Sequence, residues 1–285
     1  MIEAVILMKE FICRDFTLSL GKKTYIMGIL NVTPDSFSDG GKYLAAENAV
    51  AHAKKMESEG ADIIDVGAAS TRPFSDAVTP QEEWQRLEKV LPAIISSVNI
   101  PVSVDTYNRS VAEKCLKLGV SIINDVSGVF SSDLADIIKK YNAGWILMHG
   151  GVMLGDAGSE RDYKEGIISS VNGFFEDVRK KADENLFPLS NICVDPGFGF
   201  SKNTLQNTQL LESFDELNAS DLPLLCALSR KRFIGELSSS PDVNDRLMGT
   251  LAANASAVIK GADILRVHDV KEHRRFFDVI DTLYR

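Results

Sequence analysis

The chain has 285 residues, 45% of them hydrophobic and 25% charged, and its formal net charge is −9 at pH 7. A chain of this length can bury a large core without a disulfide or a structural metal, and α/β barrels often reach this size as one domain. The acidic balance argues against a nucleic-acid partner, and no stretch approaches the roughly 18 apolar residues that a membrane span needs.

The four cysteines lie far apart, without the paired spacing of a metal site or a disulfide framework. The N-terminal "MIEAVILM" contains an acid and is too short for a secretory signal. Both observations predict a reducing, cytoplasmic location, with neither nucleic acid nor membrane as a partner.

The first structured segment, "FICRDFTLSLGKKTYIM", predicts a β-hairpin within residues 1–24 that turns at Gly21-Lys22 and closes the floor of a barrel. Eight short apolar runs predict buried parallel strands: "TYIMGIL", "GADIIDVG", "IPVSVD", "GVSIINDVSG", "GWILM", "NICVD", "LPLLCALS" and "GADILRVH". Helical patterns separate them. One such helix, "TPQEEWQRLEKVLPAIISSV", begins with Thr79 as N-cap, followed by Pro80 and Glu82.

Strand and helix alternate eight times, which predicts an α/β fold, a (β/α)8 TIM barrel, as one domain over residues 1–285. A doubly wound open sheet is the alternative, but no G-x-G-x-x-G follows the first strand. The active site of such a barrel lies at the carboxyl ends of its strands. The side chains predicted to surround this mouth are Asn31, Asp65, Asp105, Asn124, His149, Asp195, Ser229 to Lys231, Arg266 and His268.

These side chains offer two kinds of group: acceptors for a donor-rich ring, and cations for a compact anion such as diphosphate. Alternation along "SRKR" should aim at least one of its three cations into the mouth. Met148 is expected to line the pocket and Asp65 to cap or orient its neighbours. His149 is interpreted as a satisfied strand-end histidine, His52 and His273 as surface residues, and Arg246 as a structural partner of an acid.

No Ser-His-Asp set, nucleophilic cysteine or H-E-x-x-H helix is present. The remaining inventory suits a transferase in which an anionic group leaves and a second substrate attacks. The loop "NVTPDSFSDGG" is longer than an ordinary strand-to-helix connection and is interpreted as a lid over the mouth.

Several long motifs in order resemble the dihydropteroate synthases: "MGILNVTPDSFSDGG", "STRP", "VSVDTYN", "IINDVSG", "DPGFGFSKN", "LSRKRFIG" and "ADILRVHDV". The resemblance covers nearly the whole chain. It implies condensation of 6-hydroxymethyl-7,8-dihydropterin diphosphate with 4-aminobenzoate, in folate biosynthesis, through a pterin cation formed by loss of diphosphate. It also implies Mg²⁺, a homodimer and a sulfonamide target.

The resemblance assigns roles to individual positions. Asp195, Asn124, Asp105 and Lys231 would bind the pterin; Arg266 and His268 would hold the diphosphate; Asn31 would contribute directly and through Mg²⁺; and Asp35 would order the first loop. The aminobenzoate pocket would be formed by Thr71, Arg72, Pro73, Phe37, Phe200 and Ser229. The expected catalytic set is Asp105, Lys231, Asn31, Asp35 and Arg72.

The chain departs from the family where Ala69 replaces the usual Glu before "STRP" and Phe74 replaces the following Gly. Two alternatives stay open at this point. One is a methyltetrahydrofolate-dependent methyltransferase on the same barrel, which has no diphosphate to hold. The other is a paralogue that binds pterin without turnover.

Overall fold

The computed structural model describes residues 9–32, 42–68, 78–151, 161–219 and 222–285. Its strands, in chain order, are β1 (Glu10–Cys13), β2 (Phe16–Ser19), β3 (Tyr25–Asn31), β4 (Ile63–Gly67), β5 (Val102–Asp105), β6 (Ile122–Asp125), β7 (Gly144–Met148), β8 (Ile192–Asp195), β9 (Leu225–Cys226) and β10 (Ile264–Val267). The eight apolar runs predicted as strands are therefore confirmed as β3 to β10.

β3 to β10 form one parallel sheet in the order β8-β7-β6-β5-β4-β3-β10-β9. A parallel bridge between Val194 and Leu224 joins the two ends of this order, and the Val194 N–H donates to the Pro223 carbonyl at 2.9 Å. The sheet thus closes on itself, and the predicted (β/α)8 barrel is confirmed. The assignment of residues 1–285 to one domain stays a prediction.

The α-helices of the described residues surround this barrel. They are α1 (Lys42–Ser58), α2 (Pro80–Leu87), α3 (Leu91–Ile95), α4 (Arg109–Leu118), α5 (Ser132–Lys140), α6 (Ile167–Glu184), α7 (Thr204–Glu212), α8 (Arg232–Leu237), α9 (Leu247–Ile259) and α10 (Val270–Tyr284). Within the described ranges, no helix is long and apolar enough to cross a membrane.

The N-terminal hairpin is present, but its predicted turn is wrong. β1 pairs antiparallel with β2, and Cys13 faces Phe16, so the turn lies at Arg14-Asp15. Arg14 takes the left-handed conformation, with φ 62°, and its N–H donates to the Asn142 carbonyl at 2.7 Å. Gly21 also has a positive φ, of 91°, but it joins the hairpin to β3, whose partners are the barrel strands β4 and β10.

The predicted long helix after Thr79 is in fact two helices, α2 and α3. Thr79 does cap α2: its side chain accepts from the Glu82 N–H, and the Glu82 side chain accepts in return from the Thr79 N–H. Residues 88–90 separate the two helices, and Pro92 lies in the first turn of α3. A proline has no N–H and is tolerated in the first turn of a helix but not in its interior.

The interior of the barrel has an apolar layer near the hairpin and a polar layer above it. Phe11, Cys13, Leu18 and Leu20 of the hairpin segment pack against buried strand residues, which include Met27, Ile63, Ile122, Ile146, Cys193, Leu225 and Ile264. Side chains alternate between the two faces of a strand, so the next inward position lies two residues later. On β4, β6, β7, β8 and β10 that position holds Asp65, Asn124, Met148, Asp195 and Arg266. The alternation of inward-facing and outward-facing residues along each strand therefore places these side chains, four of them polar, at the mouth.

Candidate functional site

Arg266 joins two carboxylates at the centre of the mouth. Its Nε donates to Asp65 Oδ2 at 2.6 Å and its Nη2 donates to Asp105 Oδ2 at 3.0 Å. Asp65 is completely buried and Asp105 is 4% exposed. The second carboxylate oxygen of each acid is buried and has no hydrogen-bond partner among the described residues. These two oxygen atoms can therefore accept hydrogen bonds from donors other than the described residues.

Asn124 extends this cluster from β6. Its Nδ2 donates to Asp65 Oδ2 at 3.2 Å, across the intervening strand β5. Asn124 and Asp105 also lie side by side in the strand register. Asp105 and Asn124, which are both predicted to bind the ring, are therefore neighbours in space.

Asp195 sits at the end of β8, where the chain enters a tight glycine-containing loop. Its Oδ1 accepts from the Gly197 N–H at 2.7 Å, and Gly197 has a φ of 72°. A Cβ at Gly197 would lie 2.0 Å from the His149 carbonyl oxygen, so only glycine fits this turn. The loop geometry fixes the Asp195 carboxylate at the mouth.

Lys231 is the cation of "SRKR" that enters the mouth, as the alternation predicts. Its Nζ donates to the Phe198 carbonyl and lies 4.8 Å from the centre of the Phe200 ring. Arg230 is instead bound by Asp269, with Nε to Oδ2 at 3.0 Å. Arg232 is mostly exposed and pairs with Glu236 on its own helix.

Ser229 and His268 form a polar pair on the side of the mouth built by β9 and β10. Ser229 Oγ and His268 Nδ1 are 2.9 Å apart, and the His268 N–H donates to Ser229 Oγ at 3.2 Å. The pair follows the seventh and eighth strands of the barrel, where phosphate sites of barrels often form.

Burial changes the pKa of the ionisable groups at the mouth. It raises the pKa of Asp105 to about 7, with Arg266 acting in the opposite direction, and it also raises the pKa of Asp195, opposed mainly by Lys231. It lowers the pKa of Lys231 to about 8, opposed by Asp195. Burial penalises charge, so the ionised forms of these groups carry a free-energy cost that a complementary ligand would offset.

The remaining predicted site residues divide into described and undescribed positions. Asn31 is exposed at the end of β3, Met148 is 1% exposed, and Phe200 is partly buried beside Lys231. His149 is buried, with Nε2 3.1 Å from Ser170 Oγ. The residues that lie outside the described ranges are Asp35, Phe37, Thr71, Arg72 and Pro73, together with Ala69 and Phe74.

Two buried charged residues near the mouth were missed from the sequence. Lys202 is 5% exposed and donates to the Gly197 carbonyl at 2.9 Å and the Phe200 carbonyl at 3.2 Å, so it braces the loop that carries Asp195. Glu83 of α2 is 1% exposed and accepts from Asn108 Nδ2 at 2.5 Å. The burial of Lys202 and Glu83 could not be predicted from the sequence, because lysine and glutamate are usually exposed.

Two predictions about peripheral residues are wrong. His273 is completely buried rather than at the surface; its Nδ1 bonds the Asp269 carbonyl at 2.6 Å and its Nε2 lies 3.1 Å from Asn254 Nδ2. Arg246 has a structural role, but among the described residues it donates to the backbone carbonyls of Ser240, Arg230 and Pro241 and to no acid.

Within the described residues, no group of three or more His, Cys, Asp or Glu side chains could hold a metal ion. The predicted metal residue, Asn31, offers a single carboxamide oxygen. Mg²⁺ is commonly held by one or two protein oxygens together with substrate phosphates and water. The donor set therefore fits a magnesium ion that arrives with a phosphorylated substrate.

A parallel barrel with buried acceptors and a lysine at its mouth is suited to an enzyme that binds a ring rich in hydrogen-bond donors. A family model described as "Pterin binding enzyme" matches residues 27–268. The dihydropteroate synthase of Bacillus subtilis (strain 168) is 40% identical over 93% of this chain and 90% of its own length. Two solved dihydropteroate synthases superpose closely. The Clostridium difficile enzyme with pteroic acid has a TM-score of 0.86 and 40% identity, over 94% of this chain and 99% of that one. The Thermus thermophilus enzyme in complex with 4-aminobenzoate has a TM-score of 0.82 and 37% identity, over 97% of this chain and 100% of that one.

The chain therefore belongs to the dihydropteroate synthases, a family of transferases.

Proposed function

We propose that the mouth of this barrel divides the condensation of 6-hydroxymethyl-7,8-dihydropterin diphosphate with 4-aminobenzoate among three groups of side chains. The observation that carries the proposal is the buried Oδ1 of Asp105, which finds no partner in the described part of the chain. A buried acceptor without a donor is costly, and a pterin carries several N–H donors on one edge. The Clostridium difficile relative was solved in the presence of pteroic acid, which supports a pterin ligand for this barrel.

The first group binds the ring. Asp195, Asp105 and Asn124 accept hydrogen bonds from its N–H groups, and Lys231 donates to its other polar atoms. Fixed acceptors in a site that excludes water stabilise positive charge that develops on the ring. When the bond between the pterin methylene carbon and the diphosphate oxygen breaks, its electron pair leaves with the diphosphate, and the carboxylates stabilise the pterin cation that remains.

The second group holds the leaving diphosphate. His268, which is oriented by its bond to Ser229, lies at the rim, and Asn31 is exposed beside it in the order of strands, since β3 is the neighbour of β10. Arg266 contributes less positive charge to the diphosphate site than the sequence implies, because two carboxylates already pair with it. Mg²⁺ bound with the substrate at Asn31 would neutralise part of the diphosphate charge.

The third group receives 4-aminobenzoate. The partly buried Phe200 ring, with Lys231 Nζ 4.8 Å from its centre, offers a flat apolar wall at the mouth. The amine lone pair forms the new C–N bond with the methylene carbon, and the amine then loses one proton. The 4-aminobenzoate bound by the Thermus thermophilus relative supports this second substrate.

An assay of the purified protein with both substrates and Mg²⁺ tests the proposal. We expect diphosphate release that requires 4-aminobenzoate and equals the 7,8-dihydropteroate formed. Tight pterin diphosphate binding without turnover would contradict it and favour a binding paralogue. Methyl transfer to a corrinoid protein without diphosphate release would contradict it in favour of a methyltransferase.

We also propose that the protein is a cytoplasmic homodimer. The four cysteines are free and buried, as expected in a reducing compartment, and the dimer follows from the family resemblance. Light scattering of the purified protein tests the dimer: the mass should be twice the 31.2 kDa of one chain.

A further inference from the structure

Asp65 is the one acid of the polar layer to which the family resemblance gives no substrate. It lies on β4, completely buried, opposite Ile29 of β3 and Ser103 of β5 in the strand register. Its Oδ2 is the shared acceptor of Arg266 Nε at 2.6 Å and Asn124 Nδ2 at 3.2 Å. Asp65 thus contacts two residues of the proposed substrate site.

The chemistry of these partners decides which end of Asn124 faces the substrate. An asparagine carboxamide has a donor end and an acceptor end, and the two ends have nearly the same shape. Oδ2 of Asp65 already accepts from Arg266 Nε, so this oxygen is an acceptor towards Asn124 as well. Because Asp65 accepts from Asn124 at Oδ2, it retains the NH2 group, and the carboxamide oxygen of Asn124 is directed away from it.

Arg266 makes this arrangement rigid. It binds Asp65 with Nε and Asp105 with Nη2, so one planar guanidinium fixes both acids relative to each other. Bonds to a guanidinium hold a carboxylate in a defined direction. Asp65 cannot rotate without giving up its bond to Arg266.

We propose that Asp65 is a positioning residue that sets the polarity of Asn124, so that position 124 presents an acceptor, and not a donor, to the pterin. The inference rests on the proposed function. An amide at position 65 would remove this control, because it can offer either its oxygen or its NH2 group to Asn124.

The variant Asp65→Asn tests the proposal at nearly constant shape. We expect the Kd of 6-hydroxymethylpterin, measured by calorimetry, to rise about tenfold, the size expected for one hydrogen bond to a charged site. The KM for pterin diphosphate should rise similarly, with kcat within about twofold, because position 65 does not touch the reacting carbon. A partly unfolded preparation would lower kcat and leave KM unchanged, so the two causes are distinguishable.

Asp263→Asn is the matched control. Asp263 is 4% exposed, and its Oδ2 accepts from the Leu224 N–H and from Lys9 Nζ, both at 3.0 Å. It lies just before β10, at the opposite end of the strand from the mouth. We expect its substitution to leave the pterin Kd unchanged. An equal rise in Kd for both variants, or a Kd within about twofold of the unsubstituted protein for Asp65→Asn, would overturn the proposal.

A double-mutant cycle separates positioning from direct contact. In an Asn124→Ala background there is no carboxamide to orient, so adding Asp65→Asn should change the pterin Kd by less than about threefold. Full additivity of the two losses would show that Asp65 acts on the pterin independently, which contradicts the positioning role. Failure of the unsubstituted protein to bind pterin at all would contradict the proposed function instead.

Discussion

The floor and the mouth of the barrel use the same strands, two residues apart, for opposite purposes. At the floor, Phe11 and its hairpin neighbours seal an apolar layer. At the mouth, the next inward positions hold acids, an amide and an arginine, and two carboxylate oxygens there have no partner within the described ranges. The floor meets its own packing requirements, whereas the mouth leaves hydrogen bonds for a ligand to complete.

This difference assigns the stability of the fold mainly to the apolar floor and outer core, and ligand binding to the mouth. Burial raises the pKa of Asp105 and Asp195 and lowers that of Lys231, so the charged mouth opposes folding. The apolar floor and the outer core supply the free energy that offsets this cost. Substitutions at the two ends should therefore separate folding from binding.

The largest expected effect is on the floor. Phe11 is completely buried and lies against Gly144, where a Cβ would come within 2.6 Å of its ring. Phe11→Ala should lower the free energy of unfolding by about 3–5 kcal/mol, as measured by denaturant titration. The folded fraction should bind pterin with unchanged Kd. A Kd that rises in proportion to the lost stability would break the separation between floor and mouth.

The next effect is at the mouth. Asp195→Asn should weaken pterin binding by about 1.5–3 kcal/mol, because the ring donors lose an ionised acceptor. The free energy of unfolding at about pH 8 should be equal or higher, because burial raises the pKa of Asp195 even with Lys231 nearby, so the amide removes a penalised charge, and its oxygen can still accept from the Gly197 N–H. Calorimetry and denaturant titration of the same preparation check both halves. An unchanged pterin affinity would contradict the assignment of Asp195.

The smallest effect is expected beside the mouth. Arg232 follows Lys231 directly but is mostly exposed, and its ion pair is with Glu236 on its own helix. Arg232→Ala should change the free energy of unfolding by no more than about 0.5 kcal/mol and leave the Kd of pterin diphosphate unchanged. Lys231→Ala is the comparison variant, because Lys231 enters the mouth. If Arg232→Ala lowers the affinity for pterin diphosphate as much as Lys231→Ala does, then both cations contribute to binding, and the separation of mouth from surface is wrong.

The strands and the list of mouth residues could be predicted because both follow from a local period. Apolar runs mark buried parallel strands, and polar residues at their carboxyl ends mark the mouth. The hairpin turn was misplaced because Gly21 carries the usual turn signal, while Arg14 adopts its left-handed conformation through a bond to Asn142, far away in sequence. His273 was misplaced because Asn254 and the Asp269 carbonyl satisfy its ring in the interior.

The pairing inside the site could not be predicted. Arg266 and Asp65 are 201 residues apart in sequence, and Asn124 reaches Asp65 across an intervening strand. Such contacts depend on how the barrel closes, and no local pattern encodes them. The resemblance assigned Arg266 to the diphosphate, and the structure adds that two carboxylates bind its Nε and Nη2; the assignment to the diphosphate stays a prediction.

The pH dependence of pterin binding between about pH 5 and 7 tests the central claim most directly, because it asks whether ionised carboxylates meet the ligand. Burial raises the pKa of Asp105 to about 7, and N–H donors favour the ionised form, so pterin should lower this pKa on binding. Calorimetry at about pH 6 in two buffers of different ionisation enthalpy should detect proton release. The affinity should fall towards low pH by up to about 1.4 kcal/mol per pH unit. Constant affinity over this range without proton release would contradict the account.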